Sequence, residues 1–142
     1  MPAFNKFDIF TKDKNEGKHD MATHQLVVAL CAVAPVAGNT VLANLTQVAY
    51  TFCSSRNITL SSSAQASGVY TLTLTDLTLT ATGGAIGPFQ YVAVYNDTQT
   101  SPADPLIGWY DYGSAVTVNN GETFVIDFGA DAGTTGILYT DT

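Results

Sequence analysis

The sequence predicts an all-β protein: a single β-sandwich or jelly-roll-like domain of about eight or nine strands with an N-terminal arm. Segments rich in β-branched and aromatic residues recur at short spacing and are separated by Gly, Pro and Asn turn signals. No strong helical period follows residue 24. The length of 142 residues fits one domain. We therefore divide the chain into an arm, residues 1–23, and a β-sandwich domain, residues 24–142.

The first half of the domain contains one strong strand and several weaker ones. Leu26–Cys31 is almost continuously apolar, which is typical of a buried strand. Residues 41–50 alternate loosely between apolar and polar, and residues 51–53 extend that weaker strand. Residues 54–67 are rich in serine and have no period, so they predict a loop or a weak edge strand.

The clearest alternation lies in residues 69–81. Apolar residues occupy even positions up to Leu74 and odd positions from Leu77 onward. A β-bulge at Thr75-Asp76 would restore the inward-facing side, because one extra residue shifts the register. Two short strands separated by a kink would give the same pattern, and both alternatives remain open at this stage.

The second half predicts further strands and their turns. The strands are residues 89–95, 106–112, 115–118, 123–128 and 137–139. A polar loop spans residues 96–105, and turns are expected at Gly113-Ser114 and at residues 133–136. Asn119-Asn120-Gly121 is expected to close a hairpin, because an Asn-Gly pair favours a type I′ turn.

The charge balance argues against two classes of partner. Only 12% of the residues are charged, and the net charge is −7. An acidic surface is repelled by phosphate, so we expect no nucleic acid partner. The longest apolar run, residues 26–36, is shorter than a membrane helix and begins too late for a signal peptide. We therefore expect no membrane partner and synthesis in the cytoplasm.

The arm is a compositionally separate segment that carries four of the five basic residues. Its aromatic residues at a spacing of three favour a helix, whereas the alternation of Phe7 and Ile9 favours an extended strand. As apolar anchors and basic contacts, the arm's candidate partner-binding residues are Phe4, Phe7, Ile9, Phe10, Lys12 and Lys14. The alternative is that the phenylalanines fold back onto their own sandwich.

Signals of catalysis or metal binding are weak, so we expect no enzyme, catalytic residue, metal or cofactor. The two histidines, His19 and His24, lie near the N-terminus, and there is no GxSxG motif. Cys31 and Cys53 lack metal-site spacing. A group of acids could approach one another as glycosidase carboxylates or as calcium ligands, but they are more simply solvated. These acids are Asp97, Asp104 and Asp111.

Trp109 and Tyr110 are two further candidate partner-binding residues. Aromatic side chains beside acids can stack on sugar rings or anchor protein interfaces. The alternative assigns them to the sandwich core and to one half-buried face.

Three sequence segments resemble a family of small structural proteins encoded among the head genes of tailed bacteriophages. The segments are residues 3–7 with 17–20 and 25–30, residues 89–97, and residues 104–114 continuing into 120–128. The resemblance extends from residue 3 to about residue 139, and its most specific part is residues 105–128. It implies that the protein belongs to the virion.

The expected function is that of a capsid decoration, or cement, protein. Such a protein binds the assembled head shell and stabilises it, because it binds the lattice in preference to loose subunits. The expected partners are the major capsid protein of the phage head and further copies of this chain, on the outer surface of the capsid. The alternative is a tail or fibre β-sandwich module that binds a host-surface glycan through Trp109 and Tyr110.

Overall fold

The structure, a computed structural model, describes residues 2–129 and 135–141 and confirms the predicted all-β sandwich-like class. Nine strands and one α-helix lie within the described ranges. In chain order they are β1 (Phe4–Lys6), α1 (Asp8–Asn15), β2 (Leu26–Cys31), β3 (Thr59–Ala66), β4 (Val69–Thr75), β5 (Leu77–Thr80), β6 (Ile86–Asn96), β7 (Leu106–Val118), β8 (Thr123–Ile126) and β9 (Thr135–Asp141).

The strands form three antiparallel sheets around one principal core. The largest has the order β1-β7-β6-β2, and the smaller two have the orders β3-β4-β9 and β5-β8. The core draws apolar side chains from all three sheets and from α1. Its largest fully buried side chains include Tyr110, Phe10, Phe89, Phe128 and Leu30. Burial of this apolar surface is the main force that holds the layers together.

The N-terminal segment is part of the sandwich, which corrects the expectation of a separate arm at residues 1–23. Strand β1 pairs with β7, and Phe4 lies opposite Tyr110. The backbone N–H of Phe7 donates to the carbonyl of Ile107 at 3.1 Å. The segment contains an extended part, strand β1, which leads directly into a helical part, α1. The phenylalanine side chains fold back onto the sandwich because their rings pack against apolar surface there.

The expectation of a strand at residues 41–53 is wrong. Leu42–Asn44 forms a short 3-10 helix, and the rest is irregular. The Asn44 side chain accepts hydrogen bonds from the backbone N–H groups of Thr40 and Val41, at 3.0 and 3.2 Å, and this local turn competes with an extended ladder. The segment runs past the outer edge of β2, where the Val48 N–H donates to the Leu30 carbonyl at 2.9 Å.

Of the two alternatives for residues 69–81, the structure shows two strands separated by a kink. Strand β4 belongs to one small sheet and β5 to the other. Asp76 lies between them, and its carboxylate accepts a hydrogen bond from the Phe128 N–H at 3.1 Å. The register change in the sequence therefore marks the point where the chain passes from one sheet to another.

Two turn predictions in the second half are also wrong. Strand β7 continues through Gly113-Ser114, because Gly113 takes a positive φ of 82° and the chain then resumes its pairing with β6. The Asn119-Asn120-Gly121 turn is not type I′, since of its residues only Gly121 has a positive φ. Strand β8 pairs with β5 and not with β7. Of the turn expected at residues 133–136, residues 133 and 134 lie outside the described residues, and residues 135 and 136 begin β9.

Candidate functional site

Three of the predicted partner-binding residues are core residues, which corrects their assignment as exposed anchors. Phe7 and Tyr110 are each 0% exposed, and Phe10 is 1% exposed. Phe7 packs against Trp109 with ring centroids 4.6 Å apart, and Phe10 packs edge-on against Tyr139 at 5.4 Å. In this conformation none of the three is accessible to a partner.

The remaining apolar candidates, Phe4, Ile9 and Trp109, are half-buried. Ile9 and Trp109 pack beside a second small cluster of buried residues on the other face of the large sheet. Tyr110 belongs to the principal core, on the opposite face from Trp109. Successive residues of a strand face opposite sides, so these two rings do not share a groove.

The two lysine candidates have partners within the chain. Lys12 forms an exposed ion pair with Glu16 at 2.7 Å, and this pair raises the pKa of Lys12. Lys14 pairs with Asp141, and its ammonium lies 5.7 Å from the ring centroid of Tyr139. Lys14 therefore fastens α1 to β9, whereas Lys12 remains on the solvent side of the helix.

The candidate acids do not converge on one site. Asp104 lies just before β7, and the pKa of its carboxyl is raised by partial burial and by nearby Asp97. Asp111 lies five residues after the first residue of β7, which places it roughly 17 Å along the strand from that point. Hydrogen bonds from Gln90 and from the Gly113 N–H lower the pKa of Asp111. Within the described ranges, no three His, Cys, Asp or Glu side chains come close enough to hold a metal ion.

A surface poor in charge is the most distinctive feature of the molecule's exterior. Between residues 21 and 75, Arg56 is the only Asp, Glu, Lys or Arg. Its guanidinium lies 3.6 Å from the ring centroid of Tyr50 and donates to the Val28 carbonyl at 2.6 Å. The single charge of this stretch is therefore held against the body of the protein.

The same stretch carries most of the exposed apolar side chains. Among the described residues, five of the six large hydrophobic side chains that are exposed belong to it. They are Val33, Val36, Phe52, Leu60 and Val69; the sixth is Val125. The interpretation of the sequence missed this feature, although the absence of charge between residues 21 and 75 was visible. Its exposure became apparent only from the tertiary structure.

The most exposed of these valines lie in residues 32–38, which we call the apolar loop. Val33 is 59% exposed and Val36 is 61% exposed. The Val36 N–H donates to the Asn39 side chain at 2.9 Å, and the Asp8 N–H donates to the Ala37 carbonyl at 2.9 Å. These bonds fix the loop against the beginning of α1. The loop therefore presents its valines on a preorganised backbone.

The hairpin of β3 and β4, which we call the edge hairpin, is another part of the charge-poor stretch with exposed apolar side chains, Leu60 and Val69. Strand β3 is at the edge of its sheet and is exposed at seven of its eight residues. It contains no charged residue and no proline, the usual protection of an edge strand. Ser67 and Gly68 have φ values of 51° and 80°, which suits a tight two-residue turn.

A groove of about 490 Å³ lies where the chain between α1 and β2 meets the β3-β4-β9 sheet. Its lining includes Lys14, His19, Asp20, Tyr70, Tyr139 and Asp141. Lys14 and Asp141 pair with each other, and the Tyr70 hydroxyl is 2.7 Å from the Ser63 hydroxyl. The polar groups of these two pairs therefore bind each other within the lining of the groove.

Comparisons with known proteins do not assign the chain to a family. No family model, curated protein or solved structure matches it. Over the part of the chain that the structure describes, no helix is long and apolar enough to cross a membrane.

Proposed function

We propose that this chain is a virion structural protein that binds the assembled head shell of a tailed bacteriophage as a decoration, or cement, protein. The observation that carries the proposal is the exposure of large apolar side chains in a stretch almost free of charge. Exposed apolar patches mark interaction sites, and interface centres are depleted of charged residues. The apolar loop and the edge hairpin are therefore the proposed contacts with the shell.

The remaining surface suits a component that is soluble before assembly. Residues outside 21–75 carry a net charge of −8, since the whole chain carries −7 and the only charge within that stretch is the positive Arg56. Like charges keep free copies apart in solution. On a lattice, each copy stabilises the assembled form because it binds that form better than loose subunits. Many modest contacts, repeated over the shell, then add to a large total.

The major capsid protein is the proposed partner, and the outer surface of the head is the proposed location. The resemblance to phage head proteins noted in the sequence supports this choice; it is carried by residues 3–7, 17–20, 25–30, 89–97, 104–114 and 120–128. The alternative of a glycan-binding tail module depended on Trp109 and Tyr110 sharing an exposed groove. Because Tyr110 is fully buried, that arrangement is not available to a sugar.

Charge substitutions in the apolar loop test the proposal. We expect Val33→Asp and Val36→Asp to reduce the copies bound per particle at least ~10-fold, because an unpaired carboxylate buried at a contact costs well over ~1.4 kcal/mol. The matched control is Val125→Asp, which places the same change on a valine that is 52% exposed outside residues 21–75. Bound copies are measured by quantitative mass spectrometry of purified particles, and melting temperatures confirm that each variant is folded.

Two results would contradict the proposal. One is the absence of the wild-type chain from purified mature particles. The other is equal binding by all three folded variants, which would exclude the apolar loop as the contact. Hundreds of copies per particle are expected for a decoration protein, whereas a dozen or fewer would favour the tail.

A further inference from the structure

A buried asparagine at the end of β6 joins the only two histidines in the chain. Asn96 is 0% exposed, and its amide nitrogen lies 3.1 Å from Nδ1 of His19 and 2.9 Å from Nδ1 of His24. Its amide oxygen accepts hydrogen bonds from the backbone N–H groups of Thr98 and Gln99, at 3.0 and 3.2 Å. We call His19, His24 and Asn96 the histidine latch.

The contacts of Asn96 determine the protonation state of both histidines. Two backbone N–H groups hold the amide oxygen, so the amide NH₂ group must face the imidazoles. Because that group can only donate, each Nδ1 must present a lone pair and each proton must be on Nε2. Nδ1 of His24 also accepts from the Asp20 N–H at 3.2 Å. Both imidazoles are therefore neutral in this arrangement.

The surroundings of His19 do not support a positive charge. His19 is 8% exposed and lies edge-on to the Phe10 ring, with centroids 5.2 Å apart. Burial, with a smaller contribution from His24, lowers the pKa of His19 to about 4. The buried Nε2 of His19 has no hydrogen-bond partner in the described structure.

Charged and titratable groups from several elements lie around the latch, and the Asp20 carboxylate interacts electrostatically with His24. The groups that line the groove with His19 are Lys14 of α1, Asp20 of the preceding loop, Tyr70 of β4, and Tyr139 and Asp141 of β9. Asp97 follows Asn96 directly. Lys14 and Asp141 pair with each other, and the Asp20 carboxylate accepts from the Ala22 N–H at 3.0 Å. The hydrogen bonds of the two imidazoles go instead to Asn96 and to the Asp20 backbone.

We propose that the histidine latch is an acid-sensitive fastening, and that protonation of the buried His19 releases residues 8–24 from the sandwich. A protonated imidazole carries N–H at both nitrogens, so Nδ1 would face the Asn96 NH₂ donor to donor. Asn96 cannot rotate to offer its oxygen without giving up the N–H groups of Thr98 and Gln99. Asn96 therefore cannot accommodate a protonated imidazole without losing hydrogen bonds that it makes in the closed state.

The consequence of opening follows from the position of the histidines between α1 and β2. Helix α1 has only eight residues, too few to be stable without packing. Once residues 19–24 leave Asn96, α1 is held to the sandwich only by its own contacts, chiefly the Lys14–Asp141 pair and the packing of Phe10. Opening would expose Phe10, which is otherwise buried in the core. The inference does not depend on the proposed function.

Amide hydrogen exchange on the full chain tests the latch. Between pH 7 and pH 4.5, we expect the exchange of residues 8–24, corrected for intrinsic rates, to accelerate at least ~10-fold, while residues 92–94 of β6 stay protected. Nitrogen chemical shifts at pH 7 should show both histidines as the Nε2–H tautomer. Asn96→Asp should reverse this pH dependence of exchange. Its carboxylate accepts hydrogen bonds from protonated imidazoles and therefore favours the closed state at lower pH.

Asp13→Asn is the matched control, since Asp13 lies on α1, is buried, and has a pKa raised by that burial. The pH response must persist in this variant if the histidines cause it. Uniform loss of protection throughout the chain, exchange of residues 8–24 that does not change with pH, or an Nδ1–H tautomer at either histidine would overturn the proposal.

Discussion

Gly108 has no side chain, and this allows strand β1 to pack closely against β7. It lies in β7 opposite Lys6 of β1. A Cβ at this position would overlap the ring of Phe4 and lie 2.6 Å from the carbonyl oxygen of Asn5. A glycine within a strand often marks the close approach of another backbone. Gly108 therefore lets the N-terminal strand lie directly against β7.

We expect Gly108→Ala to lower the free energy of unfolding by about 1–3 kcal/mol, because the added methyl group must displace Phe4 or the β1 backbone. Urea unfolding at pH 7 measures the change. Gly38→Ala is the control, since a Cβ there meets nothing within 4 Å and no positive φ is required. Equal stability of Gly108→Ala and the control would show that β1 does not need this close approach.

The N-terminal segment is an integral element of the sandwich. Strand β1 completes the edge of the large sheet, and α1 covers the core between the sheets. Phe7 and Phe10 enter different clusters, one on each face of the large sheet. The segment thus closes both apolar layers at once, and its removal would open both to water.

We expect Phe10→Ala to lower the free energy of unfolding by about 3–5 kcal/mol, because it removes a large buried ring and leaves a cavity. Phe7→Ala should cost a similar amount. Val33→Ala, at an exposed position, should change stability by less than ~0.5 kcal/mol. Deletion of residues 1–20 removes both rings together with β1, so it should lower the unfolding midpoint more than either substitution does. An unchanged unfolding midpoint in the truncated chain would instead show that the N-terminal segment is a separate arm.

At the scale of the whole molecule, the titration of His19 links acidity to stability. The pKa of His19 is about 4 in the folded state and about 6.5 in the unfolded chain. Between these values the unfolded chain binds a proton that the folded protein does not. Stability is therefore complete above pH 6.5 and declines as the pH falls towards 4. Burial raises the pKa values of Asp13 and Asp104, so these two groups act in the opposite direction.

We expect the free energy of unfolding to fall by as much as about 3 kcal/mol between pH 6.5 and pH 4 through His19. Urea unfolding at several pH values measures the slope. His19→Gln is the control, because its amide can accept from Asn96 but does not titrate. A slope that is the same in this variant would assign the pH dependence to other groups.

Local patterns were sufficient to predict several strands and the fold class. Residues 26–31 and 89–95 are strands in the structure because their β-branched and apolar composition is a property of the segment itself. The register change near Asp76 was equally visible, although its meaning was not. One pattern fits either a bulge or a passage between sheets, and only the pairing of β5 with β8 distinguishes them.

The sequence by itself determined the all-β class, the principal strands and the uneven distribution of charge, because these depend on residues close together in the chain. Tertiary structure alone decided that Phe7 and Phe10 are buried and that five large apolar side chains of the charge-poor stretch are exposed. It also brought His19 to Asn96 across 77 positions. Burial and long-range pairing depend on which distant segments meet, and that is set by the packing of the whole chain.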